Sequence, residues 1–371
     1  AGTVSRYDGA LRVAVRLPCD EDRLAHSPDL PGSVFAANEA LFGGADRDVL
    51  LKALDLALQP AWGPQRPTVR TGLDLLRYNR VEGLSAGVAA TSSLGLGFTA
   101  EALARVGLAD RALNGELALT RGDGRRELRL GAFRRLGVVN DDWGAPLSFG
   151  ASVNALLLAR DEGFYYRTWG AELASTRALG GAVGAATLRW RLFGERQTSA
   201  GTEPNTQASL PRLLGRGDEA TRFVGNVAAD ALTALGAGVE LARGFGVDPA
   251  GTRVDVRLRS EAAFTARTDS LGRTGYARVM AEGTAARPLP GPFTLSLTGA
   301  AGSSLGTLPA QRAFLVGGLQ TVRGQFARPA GDGRVGDAFW LARAELGFGP
   351  TAARLSPFYD LGWAGARDAL F

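Results

Sequence analysis

The sequence predicts an all-β chain folded as an antiparallel transmembrane β-barrel, and three observations carry that prediction. Apolar and polar residues alternate over runs of about 9–12 residues, the length a tilted strand needs to cross a bilayer, whereas soluble strands average about 5–6. Tight glycine turns such as Gly122-Asp123-Gly124 and Leu179-Gly180-Gly181 alternate with long connections such as 195–220 and 302–334. The 371 residues include 51 glycines but one Cys, one His and one Met, and the mean hydropathy is −0.01. No stretch approaches the ~20 apolar residues of a membrane helix, whereas strands that alternate apolar-out and polar-in leave hydropathy near neutral.

The N-terminal segment, 1–67, is read apart from the barrel. It opens on a polar turn, and Leu11, Val13, Val15 and Leu17 then alternate with Arg12, Ala14 and Arg16 in a strand over 10–17 that Pro18 stops. Between 46 and 58 the period changes. Asp46 or Asp48 caps a helix whose broad apolar face is Val49, Leu50, Ala53, Leu54, Ala57 and Leu58, ended by Pro60. From Thr68 to Phe371 the chain is nearly all strand and turn.

Candidate strands there are 70–77, 82–91, 94–106, 111–121, 125–135, 147–159, 164–176, 182–193, 221–231, 235–243, 252–264, 274–284, 292–301, 335–348 and 354–361. The dyad period is clearest in the later ones. Leu188, Trp190 and Leu192 oppose Thr187, Arg189 and Arg191; Val254, Val256 and Leu258 oppose Arg253, Asp255, Arg257, Arg259 and Glu261. One face is built for lipid, and the other carries both signs of charge among small residues, which predicts an ion-pair network on the barrel's interior. Aromatics such as Tyr78, Trp169, Trp190, Trp340 and Tyr359 gather near strand ends, as in interfacial belts.

Several chemistries lack their residues. The single Cys19 permits no internal disulfide, and the lone His26 removes most metal and general-base chemistry. Gly83-Leu84-Ser85-Ala86-Gly87 has the spacing of a nucleophile elbow, but its flanks read as continuous strand and the sole histidine lies upstream. No phosphate loop or dinucleotide fingerprint occurs. The charge of +5 comes from 42 basic and 37 acidic residues spread along the chain, so nucleic acid is not a predicted partner. No cofactor, metal or enzymatic activity is predicted.

The most informative stretch is Phe314-Leu315-Val316-Gly317-Gly318-Leu319-Gln320-Thr321-Val322-Arg323-Gly324-Gln325-Phe326. In order and spacing it resembles the Val-Arg-Gly-aromatic region of the Omp85 superfamily, also called the BamA/TamA/FhaC-like or bacterial surface antigen family; here the aromatic arrives one position late, as Phe326 after Gln325. Arg77-Tyr78-Asn79-Arg80-Val81-Glu82-Gly83 resembles the barrel entry of some of these proteins, and Ser356-Pro357-Phe358-Tyr359-Asp360-Leu361-Gly362-Trp363 one of their late strands. The resemblance implies a barrel of 16 strands and a long loop, 302–334, folded into its lumen. Its structural and gating residues would be Gly317, Gly318, Val322, Arg323, Gly324 and Phe326. Arg323 would need fixed acceptors on a late strand, with Glu345 and Asp360 the candidates. Few residues follow Gly362, so the chain is read as stopping before its closing strands.

The resemblance further implies an outer-membrane protein of a Gram-negative-type envelope, non-enzymatic, that assembles barrel proteins or translocates a protein substrate. Its partners would be the lipid bilayer, unfolded or partly folded proteins, and periplasmic accessory domains or proteins. The alternative is a porin or ligand-specific channel.

Overall fold

In the computed structural model, described residues are 2–8 and 11–17 (backbone only) and 64–369, apart from 140, 181–185, 247, 249–250, 269–271, 326–334 and 350–353. The chain divides into two compact units, Ala1–Ala61 and Trp62–Phe371. In the first, β1 (Gly2–Asp8) pairs antiparallel with β2 (Leu11–Leu17). The stretch read as a polar turn is thus itself a strand. The helix predicted over 46–58 lies outside the described residues.

The second unit is one antiparallel sheet. Its members are β3 (Thr68–Arg70), β4 (Arg77–Asn79), β5 (Gly83–Gly95), β6 (Phe98–Gly107), β7 (Leu113–Gly122), β8 (Arg126–Val138), β9 (Tyr165–Leu179), β10 (Ala186–Ser199), β11 (Leu232–Phe245), β12 (Arg253–Arg267), β13 (Arg273–Pro288), β14 (Phe293–Gly306), β17 (Ala338–Phe348) and β18 (Phe358–Gly365). Two short segments, β15 (Phe314–Leu315) and β16 (Val335–Gly336), pair with each other inside the β14–β17 connection. From β5 to β18 each sheet member pairs with its neighbour in sequence, skipping only β15 and β16. The two-residue β5–β6 turn, Leu96-Gly97, has both residues at positive φ, which matches the twist of the strands it joins.

The sheet is of the transmembrane-barrel kind. Its long strands exceed the span of a soluble sheet, and their outward row is apolar: Leu117, Leu130, Leu192, Leu235, Phe264 and Leu305 are all exposed. No helix among the described residues is long and apolar enough to cross a membrane. Long connections gather on one side, at 139–164, 200–231 and 307–337; the other side has short turns such as 96–97, 123–125 and 289–292.

Three predicted strands differ. Residues 147–159 form α1 (Phe149–Leu158), because Ser148 Oγ accepts from the Ala151 amide at 3.3 Å and caps a run whose apolar residues satisfy either period. Residues 221–231 join no ladder; the Asn226 amide group bonds Tyr165 and Gly201 backbone instead. Residues 70–77 are interrupted by a 3₁₀ turn at Leu73–Leu75, so that β3 and β4 pair separately with β5 at Ala89–Thr91 and Gly83–Ser85. The Arg105 guanidinium holds the break by donating to the Leu75 carbonyl at 2.5 Å. Pro64 bridges Leu94 and the Gln65 amide donates to Ser93, so the sheet's edge begins a few residues before Thr68.

Candidate functional site

The sheet's inner face is identified by what reaches it. Asp142, between β8 and β9, bonds Arg278 on β13 and lies 3.5 Å from Arg259 on β12. Across a flat sheet β8 and β13 would be roughly 24 Å apart at about 4.8 Å per step, so the sheet curls and this connection folds over its concave side. That side carries the predicted mixture of charge. Arg129 and Arg135 share Glu172, Arg135 also reaches Glu116, Arg259 joins Glu240, and Arg257 joins Glu282. A cavity of about 380 Å³ remains, lined by Asp141, Asp142, Glu172, Glu240 and Glu261 against Arg189, Arg191, Arg259, Arg278 and Arg312.

The described parts of the 307–337 connection, 307–325 and 335–337, lie on this face. The observed β14 extends to Gly306, so the loop starts later than the predicted 302. Phe314, Val316 and Val322 pack with Met280, Phe339 and Leu341, and the Trp143 ring meets Phe339 edge-on at 5.3 Å. Room for this packing comes from Gly362: a Cβ there would stand 2.8 Å from Val316 and 2.9 Å from Val322.

At the loop's tip Gly317 and Gly318 have φ of 135° and 95°, conformations that side-chain-bearing residues rarely adopt. The turn is closed by the Gly317 amide on Thr321 Oγ1 at 2.7 Å, and the Leu319 amide donates to Glu162 of the β8–β9 connection at 3.0 Å. Arg323 then meets both predicted carboxylates. Its Nε and Nη2 donate to the two oxygens of Asp360 at 2.8 and 2.6 Å, and its amide adds a third bond to the same carboxylate at 3.0 Å. Nη1 lies 2.7 Å from Glu345, and the guanidinium covers the Phe358 ring at 3.8 Å. The hydrogen bond to Asp360 leads in raising the Arg323 pKa above the ordinary guanidinium value, with Glu345 adding to it against partial burial. Arg343 braces the cluster, 3.5 Å from both carboxylates and donating to the Gln320 carbonyl at 3.0 Å. Gly324, at φ 82°, faces open space, and Phe326 lies outside the described residues.

Sequence reasoning missed a second arginine at the loop's base. Arg312 is buried, its Nη2 2.8 Å from Glu195, its Nε 2.9 Å from Glu261 and its Nη1 donating to the Tyr166 hydroxyl at 2.7 Å. Burial opposes its charge, yet Tyr166, Glu261, Tyr276 and Glu195 hold its pKa well above the usual value. Beside it, Gln311 donates to Gln197 at 2.6 Å and accepts from the Asp230 amide at 2.9 Å. The sequence signal was Glu261 on the polar face of its strand, needing a cation; Glu195 was read as part of the 195–220 connection, whereas β10 extends to Ser199.

Arg80, at the predicted barrel entry, is wholly buried. It meets Asp161 through its amide at 2.8 Å and through Nη1 at 3.4 Å, and its guanidinium lies 5.1 Å from the Phe164 ring. Glu82 accepts from Asn79 and Asn114 at 2.8 and 2.9 Å. Ser85 lies buried within β5, 3.4 Å from Glu82, with no imidazole beside it among the described residues.

The arrangement is that of a membrane-barrel sheet with a long loop returned to its inner wall. No family model matches the sequence, and a search of curated proteins finds no match. Among solved structures, BamA from Haemophilus ducreyi lacking POTRA domains 1–3 is similar with a TM-score of 0.47 and 14% identity, over 80% of this chain and 57% of that one. CdiB from Acinetobacter baumannii is similar with a TM-score of 0.41 and 11% identity, over 77% and 47%. Both are Omp85-superfamily proteins, and the chain spans about half the length of each.

Proposed function

We propose that this chain forms an outer-membrane barrel of the Omp85 kind that assembles barrel proteins or translocates a protein substrate, with the 307–337 loop as its plug. The observation that carries the reading is Arg323 bonded to Asp360 and Glu345 on the inner wall, in a segment whose order and spacing resemble that superfamily's Val-Arg-Gly loop. The residues supply binding and positioning without chemistry. Three hydrogen bonds on one carboxylate fix where the loop tip lies, and breaking them frees it to move. Protein substrates, periplasmic accessory domains and the bilayer are the partners this reading requires. No energy cofactor enters it.

Planar-bilayer conductance tests the proposal, comparing the full chain with one in which 308–334 is replaced by a short linker. Small flickering currents that become large and steady on deletion support it. Large steady currents from both chains favour a porin, the second reading, which the charge-lined cavity of about 380 Å³ supports. Failure to insert into the bilayer would reject both.

A further inference from the structure

The loop is held at two places that differ in kind, on either side of a glycine pair. At the base, Arg312 is 7% exposed and meets Glu195 and Glu261, themselves 4% and 12% exposed, while Gln311 is bonded to Gln197 and to both backbone groups of Asp230. The Asp230 carboxylate also accepts from the Ala310 amide at 2.9 Å. At the tip, Arg323 is 17% exposed and Glu345 32% exposed, while Asp360, 2% exposed, has a second cation, Arg343, at 3.5 Å. Between them stand Gly317 and Gly318, and the tip's link to the β8–β9 connection is the Leu319 amide on Glu162.

The asymmetry has a physical consequence. Removing Arg312 leaves the buried Glu195 with only the neutral Thr168 and Gln197 as partners among the described residues, whereas on release of Arg323 the Asp360 carboxylate keeps Arg343 and water reaches Glu345. The base is therefore costly to release and the tip is not. Consecutive glycines permit the backbone rotation that a moving tip needs.

We infer that Arg312 is the fixed anchor of the loop and Arg323 its releasable latch, so that opening swings the 317–325 tip about Gly317-Gly318 while the 308–316 base stays seated. This rests on the reading of the loop as a plug and assigns Arg312 a positioning role in it. The carboxylates that hold it, Glu195 and Glu261, belong to β10 and β12, far along the sheet from the β17 and β18 acceptors of the tip. The tip can part from β17 and β18 without disturbing the anchor.

The test uses the full chain in proteoliposomes with Cys19→Ala, and reads the rate at which a membrane-impermeant maleimide labels a single cysteine. One reporter, Thr321→Cys, is on the tip, where the residue is 1% exposed with the loop seated; the other, Ala310→Cys, is on the base. Arg323→Ala is expected to speed tip labelling tenfold or more and leave base labelling unchanged, while Arg312→Ala speeds both. Should Arg312→Ala fail to fold, as judged by loss of heat-modifiable gel mobility, Glu195→Gln, which removes the charge of one ion pair, and Gln311→Ala, which removes three hydrogen bonds beside it, are expected to speed both reporters less steeply. Equal acceleration of both reporters by Arg323→Ala would show the loop moving as one body and overturn the inference. So would base labelling that no anchor variant changes. The labelling needs no current, so these results stand apart from a conductance result that rejects the plug.

Discussion

Arg80 is the residue with the least tolerance. Its side chain has no exposure, Asp161 has 3%, and its carbonyl accepts from the Asn205 amide at 2.9 Å, so one residue ties the β4–β5 turn to two long connections, by its side chain to one and its backbone to the other. Arg80→Ala leaves a buried carboxylate uncompensated and is expected to cost about 3–5 kcal/mol, read as a lowered midpoint for loss of heat-modifiable mobility in urea. Arg323 is tolerant in a different sense. Because its folded-state pKa is raised, its contribution is complete below the unfolded guanidinium value and is lost only as pH rises through the higher folded one. The latch therefore holds across the alkaline range. A lysine there, with an ordinary pKa of about 10.4 raised by the same carboxylates, is expected to hold at neutral pH and release in strong alkali. Arg323→Lys should then match wild-type tip labelling at neutral pH and, during a brief iodoacetate exposure at about pH 12, approach Arg323→Ala. The need of Arg323 for carboxylates was legible because the resemblance seats it inside a lumen, where a guanidinium needs fixed acceptors. Arg312 was not legible, since its partners lie more than fifty residues away on strands whose inward register only the fold sets.

Among the elements, long strands with strict alternation were legible nearly throughout. Val254, Val256 and Leu258 opposing Arg257, Arg259 and Glu261 define β12 whatever surrounds them. Elements whose pattern fits two periods were not. Leu147 to Ala159 is apolar enough to read as a buried strand, and only the Ser148 cap distinguishes α1. Residues 221–231 look extended but find no neighbour, because the sheet passes directly from β10 to β11. Within β18, Gly362 is the point where the loop lies closest to the wall. Gly362→Val would drive methyl groups into Val316 and Val322, at a cost of about 1–3 kcal/mol if the loop stays and less if it is displaced. Because the loop has the releasable side, displacement is the expected outcome, seen as faster maleimide labelling of Thr321→Cys with the unfolding midpoint nearly unchanged.

At the scale of the whole molecule, the inner face balances its charges: the cavity's five arginines face five carboxylates, most of them paired. Such a wall has little net field to prefer one ion sign. Deleting 308–334 removes Arg312 and Arg323 and leaves Glu195, Glu261, Glu345 and Asp360 two cations short, so currents in a potassium chloride gradient are expected to show a cation preference, and reversal near zero potential would contradict this imbalance. The interrupted edge formed by β3, the 3₁₀ turn and β4 bears on a different hazard. A chain with strands of more than ten residues risks offering a neighbouring molecule a long, flat row of unpaired amides and carbonyls. Here that row is cut into two three-residue pieces by Leu73–Leu75, held apart by Arg105 on the Leu75 carbonyl. What is weaker as strand pairing on β5 also shortens the continuous row of amides and carbonyls that this edge could offer another strand.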